Sequence, residues 1–182
     1  LSYGSSTTNN TILADGSIAG GRLNLSGSSS SFIVRPSNTA AITVSASGSV
    51  SDGASLVYKD ISTEDANAKI VVSGSGVELN LSQANIDVYF IENFAPLDST
   101  FMTLAESTDG ATIVVSGLTS DSFNLYNSDG SAFKGSWTLS VSENLVGLTV
   151  SIPEPSMWSV FPLLLTICAF ILHRVRGGRH AR

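Results

Sequence analysis

The stretch "VELNLS", residues 77–82, decides the fold class because apolar and polar side chains alternate along it. Its apolar residues are Val77, Leu79 and Leu81, and a polar residue follows each of them. A period of two places every second side chain on the same face of an extended chain, as a β-strand with one buried face requires. This stretch therefore predicts a strand.

Segments of the same kind recur along the first 150 residues, and none of them shows a helical period. The predicted strands are "RLNLS" (22–26), "FIVR" (32–35), "AITVSA" (41–46), "ASLVYKDI" (54–61), "AKIVVSG" (68–74), "VELNLS" (77–82), "IDVYFIENF" (86–94), "FMTLAES" (101–107), "TIVVSG" (112–117), "SFNLYN" (122–127), "SWTLSVS" (136–142) and "VGLTVSI" (146–152). Turn-forming residues stand between them, as in "SDG" (51–53), "SGSG" (73–76), "TDG" (108–110) and "NSDG" (127–130). The body, residues 1–152, is predicted to be all-β.

Two all-β architectures agree with the spacing of these strands. Strand starts recur at roughly 8 to 15 residues, a rhythm shared by β-sandwiches and by β-solenoids. Small polar residues are abundant and aromatic residues make up only 8% of the chain, which favours the solenoid. No strict internal repeat is visible, so a β-sandwich-like body remains the alternative. Alternation on both sides of "SENLVG" (142–147) further predicts a terminal hairpin or meander.

The net charge of −6 is the sum of two opposed parts. Residues 1–152 carry 14 acidic and 5 basic groups, whereas residues 153–182 carry one acidic and four basic groups. The basic residues of the body stand singly and form no patch that could neutralise phosphates, so we expect no nucleic-acid partner. The dense positive charge lies beside an apolar run, and this arrangement indicates a membrane.

The body offers few groups for catalysis. Both histidines, His173 and His180, fall in the tail, so the body has no imidazole for a Ser-His-Asp triad or a histidine metal site. A serine nucleophile with a lysine base stays formally open, but no motif singles one out. Asp129 in "NSDGS" either ligates calcium or caps a tight turn, and the turn is favoured. We expect a non-enzyme without a metal or cofactor.

The segment Met157–Leu172, "MWSVFPLLLTICAFIL", contains 16 residues and no charge. As a helix it would span about 24 Å, somewhat short of a full bilayer crossing. A buried core helix is the alternative, but basic residues follow the segment closely. Trp158 would lie at the membrane boundary. The basic residues, expected to stay cytoplasmic as a stop, are Arg174, Arg176, Arg179 and Arg182.

A short motif, Pro153, Glu154 and Pro155, precedes this segment. Two prolines around a glutamate are incompatible with a helix and pair poorly in a sheet, so we expect an extended, exposed strip near the membrane. A protease usually binds its substrate peptide in that extended form. The motif therefore predicts more than a plain anchor.

The order of motif, apolar helix and arginine-rich end resembles the PEP-CTERM sorting domain of Gram-negative bacteria. The resemblance covers residues 153–182: the processing motif 153–155, the helix 157–172 and the basic end 173–182. It implies insertion in the inner membrane as a single-pass precursor, with the body periplasmic and the C-terminus cytoplasmic. An exosortase, a membrane protease or transpeptidase, would then process the tail and release the body to the cell envelope, the surface or the extracellular matrix.

Three functional hypotheses follow. The first is an exported, adhesin-like, non-catalytic envelope or matrix protein, with the exosortase, the lipid bilayer and extracellular polysaccharide as partners. The body also resembles passenger-type exported β-solenoids in texture. The second is the C-terminal spacer and anchor of a larger extracellular hydrolase or carbohydrate-binding enzyme. The third is a single-pass surface protein that is never cleaved. Cys168 is interpreted as a small apolar helix residue, with palmitoylation or dimerisation as alternatives.

Overall fold

The computed structural model describes residues 2–3, 11–14, 21–36, 41–62, 68–94 and 99–151. This part of the chain is mostly β-strand, with one short 3₁₀ turn at Ser120–Ser122. Its strands are β1 (Ser2–Tyr3), β2 (Thr11–Ala14), β3 (Arg22–Ser26), β4 (Ser31–Val34), β5 (Ile42–Val44), β6 (Ala46–Ser51), β7 (Ser55–Ile61), β8 (Ile70–Ser73), β9 (Glu78–Asn80), β10 (Asn85–Phe90), β11 (Thr100–Thr108), β12 (Thr112–Val114), β13 (Phe123–Tyr126), β14 (Ser136–Ser142) and β15 (Leu145–Ser151). The prediction of an all-β body is confirmed for the described residues.

The strands form three five-stranded sheets. Sheet A has the order β1-β3-β6-β9-β12, sheet B the order β2-β4-β7-β10-β13, and sheet C the order β5-β8-β11-β15-β14. From β3 onward the chain passes through sheets A, B and C in turn, and we call each such passage a coil. Among the described strands, pairing between coils is parallel, and only the pairs of β15 with β11 and β14 are antiparallel. Parallel pairing distinguishes these sheets from the antiparallel sheets of a sandwich.

The register stacks apolar side chains into ladders inside the coils. In sheet B, Phe32, Leu56, Ile86 and Phe123 lie opposite one another on successive strands, and all four are buried. Neighbours in this ladder are 24, 30 and 37 residues apart in the chain. The loops that leave the sheets therefore differ in length while the strand pairing is kept. This variable length explains why no fixed repeat is visible in the sequence.

A tight turn joins sheet A to sheet B in every coil. The backbone N–H groups of Ser30, Ala54, Ala84 and Leu118 each donate to the carbonyl oxygen three residues earlier, at 2.9–3.0 Å. These four residues are buried, so small side chains or leucine face the interior where the chain bends. The turns predicted at the four Gly-containing stretches are all present. At Asp52, whose φ is 54°, the carboxylate accepts a hydrogen bond from Ser26 of the preceding coil.

Tyr58 is the largest fully buried side chain of the described core. Its hydroxyl donates to the carbonyl oxygen of Leu104 at 2.8 Å, which links sheet B to sheet C through the interior. Burial raises the pKa of the Tyr58 phenol well above its usual value, because the phenolate would lose its hydration. The phenol therefore stays neutral and donates its proton to the hydrogen bond with the buried carbonyl oxygen of Leu104.

The C-terminal end of the stack is covered by the hairpin β14–β15, and the predicted hairpin is confirmed. β15 adds to sheet C beside β11 in antiparallel orientation. The turn of the hairpin crosses to sheet A, where the N–H of Ile113 in β12 donates to the carbonyl oxygen of Glu143 at 2.7 Å. The hairpin thus pairs with one sheet and reaches the edge of a second.

The loop after β13 covers the same end of sheet B. Ala132 forms an antiparallel bridge with Tyr126, and the N–H of Phe133 donates to the carbonyl oxygen of Leu125. The ring of Phe133 lies 4.9 Å from that of Phe90, which brings it against the interior. A polar strand edge left open is a site for uncontrolled pairing, and partial coverage of this kind limits it. The described C-terminal end is therefore a cap.

Candidate functional site

The outward residues of sheet B form an aromatic and polar surface beside the cap. Because side chains alternate along a strand, the buried residues Val88 and Leu125 direct their chain neighbours outward. On β10 and β13 the register places Asp87 opposite Asn124 and Tyr89 opposite Tyr126. Lys59 of β7 lies beside this pair. We define these five residues, Lys59, Asp87, Tyr89, Asn124 and Tyr126, as the tyrosine face.

The members of the tyrosine face contact one another closely. The rings of Tyr89 and Tyr126 stack with centroids 4.6 Å apart and an interplanar angle of 21°. The amide nitrogen of Asn124 donates to the Asp87 carboxylate at 2.9 Å. Partial burial, followed by the nearby charge of Asp87 and the Tyr126 phenol, raises the pKa of Tyr89. Both contacts fix side chains that would otherwise lose more conformational freedom on binding a ligand.

A bulge in β7 positions the charged end of this surface. The pairing of β7 with β10 shifts register between Val88 and Phe90, so Lys59 and Asp60 together oppose Tyr89. Asp60 adopts a left-handed φ of 60° there. Such bulges turn a side chain out of the regular alternation. The Lys59 ammonium lies 5.3 Å from the centroid of the Tyr89 ring, within the range of a cation–π contact.

An exposed ion pair lies next to the bulge. The Arg35 guanidinium is 2.6 Å from the Asp60 carboxylate, and both side chains are exposed to solvent. Exposed pairs of this kind contribute about 1 kcal/mol or less to stability. The pair therefore matters more for the local charge pattern than for the fold. It extends the polar surface from β10 and β13 to β4 and β7.

The side chains of the tyrosine face can contact a hydroxylated ligand. Tyrosine combines an apolar ring with a polar hydroxyl, so it can contact both the C–H groups and the hydroxyls of a sugar. The carboxylate, amide and ammonium groups supply further acceptors and donors for hydroxyls. The sequence predicts both strands that carry the tyrosines but not the surface that they form together. The only signal in the sequence was that two strands share a pattern. In each, a polar residue (Asp87 or Asn124) stands two positions before a tyrosine (Tyr89 or Tyr126), and the two patterns are 37 residues apart.

Asp129 caps its turn in the structure. Its carboxylate accepts a hydrogen bond from the N–H of Ser131 at 2.9 Å. Hydrogen bonds from Ser131 hold the pKa of Asp129 below its usual value. In the part of the chain that the structure describes, no three His, Cys, Asp or Glu side chains lie close enough to share a metal ion. The observed turn agrees with the capping interpretation of "NSDGS".

The predicted sorting residues lie outside the described residues. These are the motif Pro153, Glu154 and Pro155, the helix boundary Met157, Trp158 and Leu172, and the basic stop Arg174, Arg176, Arg179 and Arg182. What the structure gives is the strand that leads to them, since β15 ends at Ser151, still paired with Ser136 of β14. Among the described residues, no helix is long and apolar enough to cross a membrane.

Comparison with known proteins identified no relative: no family model, no curated protein and no solved structure matches the chain significantly.

Proposed function

We propose that this chain is an exported, non-catalytic protein of the cell envelope or extracellular matrix, whose tail is a sorting signal processed by an exosortase. The observation that carries the proposal is the junction between body and tail. The last strand of the cap, β15, ends at Ser151, and the Pro-Glu-Pro motif begins two residues later. If the motif adopts the extended form that its two prolines predict, a protease can bind it, whereas the paired strand before it is protected by its hydrogen bonds.

The body is proposed to act as a β-solenoid spacer that presents a binding surface. Each coil adds one strand to each sheet, so each coil lengthens the stack by about 4.8 Å. Solenoids grow by adding coils, and terminal caps with atypical sequence close their ends. The capped end leads to the proposed sorting signal.

The proposed partner of the body is extracellular polysaccharide, bound at the tyrosine face. This assignment is supported by the stacked pair Tyr89–Tyr126 and by the hydrogen-bonded pair Asp87–Asn124. The net negative charge of the body favours a neutral polysaccharide. An anionic polysaccharide would have to bind close to the basic side chains of Lys59 and Arg35. Residues of the face are held by one another before a ligand arrives.

Processing predicts a mature protein that lacks its basic end. In a host that encodes an exosortase, we expect mass spectrometry to find wild-type protein without Arg182. The double variant Pro153→Ala/Pro155→Ala should accumulate as uncleaved precursor, because alanine permits the helix to extend into the motif. The matched control is Pro162→Ala, which removes a proline of the same tail outside the motif and should be cleaved normally.

The alternatives give different results in the same experiment. An intact Arg182 in the native mature protein would contradict processing and support an uncleaved anchor. Equal cleavage of the wild type and the double variant would show that the motif is not read. A catalytic domain encoded upstream of Leu1 would instead support the spacer of a larger hydrolase.

If polysaccharide binds at the tyrosine face, the loss of either tyrosine ring alone should weaken binding. We expect Tyr126→Ala and Tyr89→Ala each to weaken cosedimentation with the host's insoluble extracellular polysaccharide about 5- to 10-fold, the factor that corresponds to one aromatic contact. Phe101→Ala is the control, because it removes an exposed ring from sheet C instead of sheet B. Equal binding by all three variants would reject the tyrosine face as the polysaccharide site.

A further inference from the structure

β14 is the outermost strand of sheet C, and among the described residues it pairs only with β15. Its seven residues pair in continuous register, without a bulge. The sequence "SWTLSVS" contains no charge, no proline and no glycine. Natural edge strands are usually protected by such residues, by bulges or by short length. β14 thus presents a regular row of backbone N–H and C=O groups to the side on which no described strand pairs with it.

The inward side chains of β14 are incompletely covered. Trp137 and Leu139 are half-buried and Val141 is 38% exposed, although all three face the core side of the hairpin. Their partners on β15, which include Leu148 and Val146, are fully buried. β14 therefore extends beyond the last coil and carries an apolar row with it. A further strand beside β14 would bury that row.

We propose that this strand is β14 of a second copy of the chain, paired antiparallel about a two-fold axis at Leu139. In this register Trp137 faces Val141 of the other copy, and Thr138 faces its Ser140. The outward side chains are small hydroxyl residues, which permit close approach. A two-fold interface uses the same patch on both copies, and an antiparallel strand pair satisfies this requirement.

Charge complementarity supports the second copy as the occupant. Lys134 precedes β14 and Glu143 follows it, and both side chains are exposed. Antiparallel pairing centred on Leu139 places the start of one β14 beside the end of the other, so Lys134 of each copy lies at the same end of the paired strands as Glu143 of the other copy. Opposite charges therefore lie near each other at both ends, and the paired strands themselves carry no charge. β15 is already paired on both edges, so it offers no edge to a further strand.

Dimerisation through β14 does not depend on the proposed sorting or on polysaccharide binding. An experiment can therefore contradict any one of these three proposals without contradicting the others.

Register-specific cross-linking tests the proposal on the full chain in detergent micelles. Thr138→Cys and Ser140→Cys are prepared separately in the Cys168→Ser background and mixed before mild oxidation. Directly opposed residues of neighbouring strands are within disulfide distance. We expect the mixed 138–140 dimer to exceed, at least about fivefold, the product from a Ser136→Cys and Ser140→Cys mixture. Equal yields from the two mixtures would overturn the proposed register.

Two further variants test whether something other than β14 of a second copy covers the outer edge of β14. Ser140→Lys places like charges near each other across the two-fold axis and should raise the dimer dissociation constant about tenfold or more, with an unchanged far-UV circular dichroism spectrum. A dimer that survives this change is held elsewhere and contradicts the proposal. Ser140→Cys with Cys168 retained should give no intrachain disulfide. An intrachain 140–168 disulfide would show that the chain's own tail covers β14, and would also overturn it.

Discussion

Replacing Tyr58 with alanine is expected to lower the free energy of unfolding by about 3–5 kcal/mol, the range for truncating a buried aromatic side chain. The ring is fully buried where the interiors of sheets B and C meet. Its removal leaves a cavity in a stack whose strands are held by pairing on both sides, so the surroundings can relax only partly. Urea denaturation of the full chain in micelles, followed by far-UV circular dichroism, measures the effect.

Tyr58→Phe is the matched control for this prediction. It keeps the ring and removes only the hydroxyl that donates to Leu104, so we expect a loss of about 1–2 kcal/mol. The difference between the two variants then reports the packing of the ring. If alanine and phenylalanine had equal effects, Tyr58 would act through its hydrogen bond and not through packing.

Replacing Gly48 with alanine should destabilise the stack by about 3 kcal/mol, at the upper end of overpacking effects. A Cβ atom there would lie 2.1 Å from the carbonyl oxygen of Leu23. That oxygen belongs to the backbone of β3, so no side-chain rotation relieves the overlap. The pairing of β3 with β6 shifts register at this point, and glycine is typical where two backbones approach so closely. The same urea experiment measures the loss.

Gly76→Ala separates this steric effect from backbone conformation. Gly76 has a φ of 72°, but a Cβ atom at this position would meet no atom within 4 Å. Only the left-handed conformation opposes alanine there, which costs about 1 kcal/mol. Gly48 has no positive φ, so its larger effect would come from the contact with β3. Equal losses in the two variants would contradict that explanation.

Local alternation was sufficient to predict most strands. All twelve predicted segments contain a strand, and β14 coincides with its predicted bounds. β1 and β2 lie outside the predicted segments. β6, Ala46–Ser51, was also missed, because its sequence "ASGSVS" contains a single large apolar residue, Val50. It is a strand because its neighbours in sheet A supply hydrogen bonds on both edges. The strand propensity of its own residues does not include the hydrogen bonds that neighbouring strands supply.

The tyrosine face also could not be predicted from local sequence, because it is formed by residues of different strands. The sequence indicates that Tyr89 and Tyr126 each lie on a strand, but it contains nothing that pairs them. Their contact depends on a coil in which equivalent positions of β10 and β13 are 37 residues apart, whereas the corresponding separations in the other coils are 24 and 30 residues. The sorting motif is the opposite case, because its evidence is contiguous in the chain. It stays a prediction, since its residues lie outside the described ones.

The sequence by itself determined most of the strands, the turns, the terminal hairpin and the opposed charges of body and tail. These depend on residues close together in the chain, through side-chain period, turn chemistry and composition. Only the tertiary structure decided that the strands pair in parallel across three sheets, that Tyr89 stacks on Tyr126 and that β14 ends sheet C. These depend on register between distant segments, which is set by the shared burial of ladders such as Phe32–Leu56–Ile86–Phe123 and not by local sequence.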